Sequence, residues 1–307
     1  MDGIASLMEM WTLPAVLSAL FLGFYDITKK RSLDGNAVIP VLSFSTIAGA
    51  VLFIPLIIFS YTGNMHPALS AFYVPVVTCR EHLFILLKSF IVIISWILAY
   101  FAFKNLPVTI AAPIRTSGPL FTILGALLLF GELLTLWQWL GVVITLIFLQ
   151  LFAHAGRREG IEFKKNKWVV FMYLSTFIGS LSTLYDKYLM IRFNRIAVQA
   201  WYSVYMMIIM AIVCLVLWYP QRTKSTRFTW RWQILLIGLF LSISDFTYFY
   251  SLSVPGSLVT IITIIRRSGV LVTFFVGGMM FNEANLRHKA VILAGILAGI
   301  AIVILGS

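Results

Sequence analysis

The chain has 307 residues, of which 61% are hydrophobic and only 11% charged, and its mean hydropathy is +0.97. Soluble domains carry nearer a quarter charged residues, so the composition excludes an ordinary soluble enzyme or binding module. The net charge of +12 would suggest nucleic acid in a soluble protein, but most Lys and Arg lie in short stretches between apolar runs, where they read as topology signals.

Continuous apolar runs appear at about 11–28, 37–60, 83–103, 107–130 and 134–153. A polar, basic connector from Arg157 to Lys167 follows, and five further runs come at about 168–189, 196–219, 232–251, 257–281 and 289–306. Because the runs are continuous and not alternating, they predict helices and not a strand barrel. The stretch 61–82 has room for a short interfacial helix before the third span. The N-terminus does not read as a secretory signal, since Asp2 and Glu9 stand where a basic region is expected and Lys29, Lys30 and Arg31 follow the first apolar run. Cys79 and Cys214 make no framework and no CxxC motif.

The second five runs repeat the first. Pro113-Ile114-Arg115-Thr116-Ser117-Gly118 is answered by Ile265-Arg266-Arg267-Ser268-Gly269, and each opens a run ending in Phe-x-Glu, at Phe130-Gly131-Glu132 and Phe281-Asn282-Glu283. Arg115 to Glu132 has the same separation as Arg266 to Glu283. Phe24-Tyr25-Asp26 corresponds to Leu184-Tyr185-Asp186, and Leu106-Pro107 to Val254-Pro255. Five is an odd number, so the second copy must enter the membrane from the opposite side. The expected architecture is an all-α polytopic membrane protein with ten transmembrane helices in two inverted five-helix repeats. The repeats would span residues 1–156 and 168–307, joined by the connector 157–167. Such repeats place a substrate near the midplane, between the halves.

Sidedness has two readings. Lys29, Lys30, Arg31, Lys104, the 157–167 connector, Arg222, Lys224, Arg227, Arg231, Arg287 and Lys289 fall in one set of alternate connectors, against Arg80, Lys187, Arg192 and Arg195 in the other. By the positive-inside rule both termini would lie away from the cytoplasm.

An arginine in a hydrocarbon-like segment costs about 2.5–3.5 kcal/mol near a helix centre, so Arg115 and Arg266 are expected to face a shared interior, with Arg267 either helping to bind the substrate or pairing with an aspartate. The intramembrane acids are Asp26, Asp186 and Asp245, with Lys88 and Lys104 placed nearer helix ends. Buried charges are normally paired, so acid–arginine clasps between helices are one expectation. The other is that arginine receives an anionic group of a substrate, its planar fork suiting carboxylate or phosphate. Asp26, Asp186 and Asp245 would then serve as counter-ions or as proton-coupling groups, since the proton affinity of a carboxylate beside an arginine changes as the cavity hydrates. Ser117 and Ser268, among small residues that permit a local helix break, and Tyr25, Tyr185 and Tyr248 complete the candidate substrate site. Glu132 and Glu283 read as structural caps. An enzyme is the rival class, but His66, His82, His154 and His288 fall in connectors or at helix ends, and no HExxH or GxSxG motif occurs. No cofactor or metal is expected.

With these motifs in place, the chain resembles the EamA-type family of the drug/metabolite transporter superfamily over essentially its whole length. The resemblance rests on the two five-span repeats and the Phe-x-Glu ends of spans 4 and 9. It implies a central cavity lined mainly by helices 1, 3, 4, 6, 8 and 9, alternating access, and cytoplasmic termini, opposite to the charge tally. Family members carry metabolites such as amino acids, nucleotide sugars or drugs, often as exporters. Many have Ser-Pro where this chain has Arg115-Thr116-Ser117 and Arg266-Arg267-Ser268, so the arginines are a departure. The expected function is secondary active transport of a small anionic or zwitterionic metabolite across the plasma (inner) membrane. Its partners would be the bilayer, the substrate, and protons or a counter-substrate. Multidrug or cation efflux is the alternative, and would leave Asp26 or Asp245 unpaired; a non-transporting scaffold or enzyme would have a packed interior.

Overall fold

The computed structural model of the chain describes residues 2–106, 114–115, 118–131, 133–155, 166–273, 276 and 286–305. Among these residues all regular structure is helical. In chain order the helices are α1 (Asp2–Leu33), α2 (Val38–Tyr61), α3 (Cys79–Asn105), α4 (Gly118–Phe130) and α5 (Leu136–Ala155). There follow α6 (Lys167–Arg192), α7 (Arg195–Val213), α8 (Gln233–Ser253), α9 (Val259–Arg267) and α10 (Leu286–Leu305). Six stretches are long and apolar enough to cross a membrane: Trp11–Leu33, Val38–Tyr61, Cys79–Asn105, Lys167–Arg192, Arg195–Gln221 and Gln233–Ser253. Shorter apolar helices cover Phe121–Phe130, Leu136–Phe148 and Ala290–Gly299. The chain is a multi-pass membrane protein.

Local chemistry sets several helix ends. Thr78 and Glu81 form a capping box at the start of α3: the Thr78 amide donates to Glu81 Oε2 at 2.7 Å and the Glu81 amide to Thr78 Oγ1 at 3.3 Å. Asn166 accepts from the Trp168 amide at the start of α6, and Asn194 from the amides of Ile196 and Ala197 at the start of α7. Between α1 and α2, Gly35 takes a φ of +60°, and Asn36 exchanges two hydrogen bonds with the backbone of Thr229, tying this turn to the chain before α8. The stretch 61–82 holds a short 3-10 helix, Pro67–Phe72.

Two expectations are refined by the structure. The ninth run, about 257–281, is interrupted at the small residues expected to permit a local break: α9 ends at Arg267, the chain turns at Ser268 and Gly269, and helical backbone resumes at 270–273. There the Gly269 amide bonds to Arg266 O at 3.2 Å and the Leu271 amide to Ser268 O at 2.8 Å, three residues back instead of four. The Ser268 hydroxyl donates to Ile265 O at 2.6 Å, offering the backbone an alternative to the helical ladder. Lys29 and Lys187 were counted as connector charges, yet both lie within helices and are buried. Lys187 Nζ donates to Ser257 O at 2.7 Å and to Ser257 Oγ at 2.6 Å. Residues 107–113, Thr116, Ser117, Glu132 and 277–285, which include Phe281, Asn282 and Glu283, lie outside the described residues.

The helices pack in a cross-linked arrangement. α1 packs chiefly on α8, α3 on α6, α2 on α7 and α8, and α5 on α10. α4 and α9 touch each other, α4 also lies on α6 and α9 on α1. Serine hydroxyls bind two of these seams: Ser18 Oγ donates to Ser244 O at 2.8 Å and Ser244 Oγ to Ser18 O at 2.9 Å, while Ser95 Oγ donates to Ser175 O at 2.9 Å. Glycine lets backbones meet where α2 crosses α8, since a Cβ on Gly238 would lie 2.7 Å from the Gly49 amide nitrogen. In lipid this close approach replaces the hydrophobic drive that holds soluble helices together. Gly238→Val should therefore destabilise the fold by about 1–3 kcal/mol, read as a lower unfolding temperature in detergent.

Candidate functional site

A cavity of about 150 Å³ lies inside the bundle. Its walls come from α1, α3, α6, α7, α8 and α9, together with Arg115 just before α4. Three carboxylates and five cations meet in and around it.

On the α1 side, Asp26 accepts from Lys29 Nζ at 2.5 Å, one turn along the same helix, and from Arg115 Nη1 at 3.0 and 3.2 Å. The Lys29 ammonium sits in an aromatic nest, 4.3 Å from the Tyr25 ring, 4.7 Å from Phe103 and 5.5 Å from Tyr100. Arg115 lies 5.5 Å from the Phe103 ring, and the hydroxyls of Tyr25 and Tyr100 are 3.1 Å apart. Two cations therefore share one carboxylate.

On the α3–α6 side, Lys88 pairs with Asp186, and both are buried. The Lys88 ammonium lies 4.4 Å from the Tyr202 ring and 4.9 Å from Phe249. On the α8–α9 side, Arg266 pairs with Asp245, covers the Tyr248 ring at 4.1 Å and reaches Ser244 Oγ at 3.5 Å. Each of these pairs holds one cation to one acid.

Arg267 differs from all of them. It lines the cavity, and among the described residues no carboxylate or hydrogen-bond partner meets its guanidinium. That group rests against the start of α4, where a Cβ on Gly118 would lie 3.0 Å from its Nη2. Thr263, one turn earlier on α9, is 4% exposed and also lines the cavity, and its hydroxyl has no partner among the described residues.

The residues picked out in the sequence divide accordingly. Tyr25, Arg115, Asp186, Asp245, Tyr248, Arg266 and Arg267 line the cavity, and Asp26 backs it through Lys29 and Arg115. Tyr185 does not line it: its hydroxyl donates to Phe84 O at 3.2 Å and its ring stacks on Tyr188. Ser268 is likewise spent on the turn after α9, and Ser117 lies outside the described residues. Sequence reasoning missed Lys29, Thr263 and Tyr202 as wall residues and set Lys88 too near a helix end. The spacing Asp26–Lys29, three residues on one helix, was the available signal for the first. Asp26 and Asp245, which a cation exporter was expected to leave unpaired, each hold at least one cation. Among the described residues no group of three His, Cys, Asp or Glu side chains is placed to hold a metal.

The Lys88–Asp186 pair gives a direct check on this electrostatic arrangement. Asp186→Asn should lower stability by about 3–5 kcal/mol, because an uncompensated lysine is left in the interior. The double change Lys88→Met/Asp186→Leu should recover most of it, measured as unfolding temperature in detergent.

Comparison with known proteins agrees with this construction. Residues 9–153 match the EamA-like transporter family. A solved structure described as "Crystal structure of protein" is 14% identical and covers 95% of this chain and 99% of its own, with a TM-score of 0.70, a likeness of fold alone. No curated protein matches the sequence. Residues 9–153, just under half of the chain, are thus similar to the EamA-like transporter family, which belongs to the drug/metabolite transporter superfamily.

Proposed function

We propose that the chain is a secondary active transporter that carries a small anionic or zwitterionic metabolite by alternating access, as an exporter of the plasma (inner) membrane. The carrying observation is Arg267: an arginine in a membrane cavity with no counter-charge of its own among the described residues. Leaving such a group unpaired in low dielectric is costly, and an anionic substrate group relieves the cost only while bound. Arg115 and Arg266 would add donors to the same ligand, and Tyr25 and Tyr248 would wall it. Asp26, Asp186 and Asp245 would exchange these cations between carboxylate and substrate, which is how a proton or counter-substrate would couple to transport.

The packing supports two inverted five-helix repeats, 1–156 and 168–307, joined by 157–167. Exchanging the halves turns the α1–α8 seam into α6–α3 and the α2–α8 contact into α7–α3, both of which occur. A serine pair binds each of the two seams, Ser18–Ser244 across α1–α8 and Ser95–Ser175 across α3–α6. The cavity at this interface is smaller than the roughly 300–1,000 Å³ of drug-sized ligand pockets, which favours a compact metabolite over a multidrug cargo.

Arg115→Ala and Arg266→Ala are poor tests, since each strips a cation from a carboxylate. Arg267→Gln is cleaner. In proteoliposomes it should reduce anion uptake by about tenfold to a hundredfold, the worth of one charge-assisted hydrogen bond, with the unfolding temperature nearly unchanged. Unchanged uptake of every anion tried would overturn the reading. For alternating access, single cysteines at Ala99 or Ser182, both in the cavity wall, should react with small charged thiol reagents from either face in a Cys79→Ser/Cys214→Ser background. A scaffold with a packed interior would protect them from both.

A further inference from the structure

The balance of charge in the cavity specifies more than the sign of the cargo. Among the described residues, Lys29, Lys88, Arg115, Arg266 and Arg267 face Asp26, Asp186 and Asp245, so five cations to three carboxylates leave two positive charges without a counter-charge there. The surplus is local. The Lys88–Asp186 and Arg266–Asp245 pairs are each neutral. One surplus charge belongs to Lys29 and Arg115, which share Asp26, and the other is Arg267. Both lie beside the start of α4: Arg115 is three residues before Gly118, and the Arg267 guanidinium rests on Gly118 from the opposite half. The orphan hydroxyl of Thr263 stands one turn from Arg267 on the same helix.

We infer that the cargo is a small dianion, a dicarboxylate or a phosphomonoester, held between Arg115 and Arg267 at the start of α4. The inference rests on the anion-transport reading and narrows it. A monoanion would leave one cation uncompensated in the interior and a zwitterion would leave both, whereas a dianion neutralises the site. Guanidinium forks from two sides match two carboxylates, or one phosphate bearing two charged oxygens. The volume of about 150 Å³ suits a compact molecule.

The test is a charge ladder on the purified full-length chain, read as ligand-induced rise in unfolding temperature and as counterflow in proteoliposomes. Succinate is compared with butyrate, and methyl phosphate at pH 8 with dimethyl phosphate, so that each pair differs chiefly by one charge. At least one dianion should bind about tenfold or more tightly than its monoanionic mate, and which pair responds separates carboxylate from phosphate recognition. In Arg267→Gln that preference should collapse, while Arg267→Lys should retain it. A merely structural role for Arg267 would weaken both members of a pair alike. Monoanions binding as well as their dianionic mates would overturn the dianion inference and leave anion transport standing. If none of the four probes binds, both readings fall.

Discussion

Charge in a medium that cannot solvate it is the constraint on which the rest of this molecule depends. A carboxylate or ammonium moved out of water costs several kcal/mol even after relaxation, so each must find an opposite charge or a dense set of dipoles. Here the partners lie on different helices. Asp26 on α1 holds Arg115 from the segment before α4, Asp186 on α6 holds Lys88 on α3, and Asp245 on α8 holds Arg266 on α9. The pairs thus locate five helices around one cavity, and aromatic rings on α1, α3, α7 and α8 take up the remaining faces of the cations. On the proposed reading, structural clasp and substrate site are therefore not rival descriptions of these residues. A clasp with one cation to spare is a clasp that a ligand completes.

The six longest spans were legible in the sequence because nothing but length and apolar composition is needed to mark a span. The cavity acids and arginines were legible for a related reason, since polar groups stand out against a hydrocarbon background. Lys29 was not, because a lysine near a helix end looks the same in sequence whether it points to the headgroups or curls back to Asp26. Tyr185 was misplaced for a different reason. The repeat maps it onto Tyr25, but Tyr25 faces Tyr100 across the interior while Tyr185 meets the backbone of Phe84. Sequence symmetry fixes the helix and not the environment of each mate. The break at Ser268 and Gly269 was foreshadowed by small residues alone, and its turn depends on close approach to α1, where a Cβ on Gly269 would collide with the Ala19 carbonyl. No one-dimensional pattern carries that contact.

The doubled arginine shows how an approximate repeat acquires direction. Arg115 and Arg266 each hold an aspartate, but Arg115 takes its acid from α1 and Arg266 from α8. Strict exchange would have paired Arg266 with Asp186, the mate of Asp26. Lys88 occupies Asp186 instead, and Asp245 takes its place. The second half thus forms a wholly compensated cluster while the first retains a surplus, and Arg267 leans across to join it. The two halves of the proposed repeat are thus unlike in electrostatics.

The serine-bound seams also bear on how the chain is made. Ser18 and Ser244 are partners across 226 residues of sequence, and Ser95 and Ser175 across 80. During synthesis α1 must reside in the bilayer while most of the polypeptide is still to come, with Asp26 paired only to Lys29 on its own helix and Ser18 still without Ser244. Loop closure over such distances is slow, and the waiting helices carry groups that lipid does not satisfy. The early part of the chain is thus a client for whatever shelters polar surface within a membrane until α8 arrives. Only then does its inward face stop being a liability and become a wall.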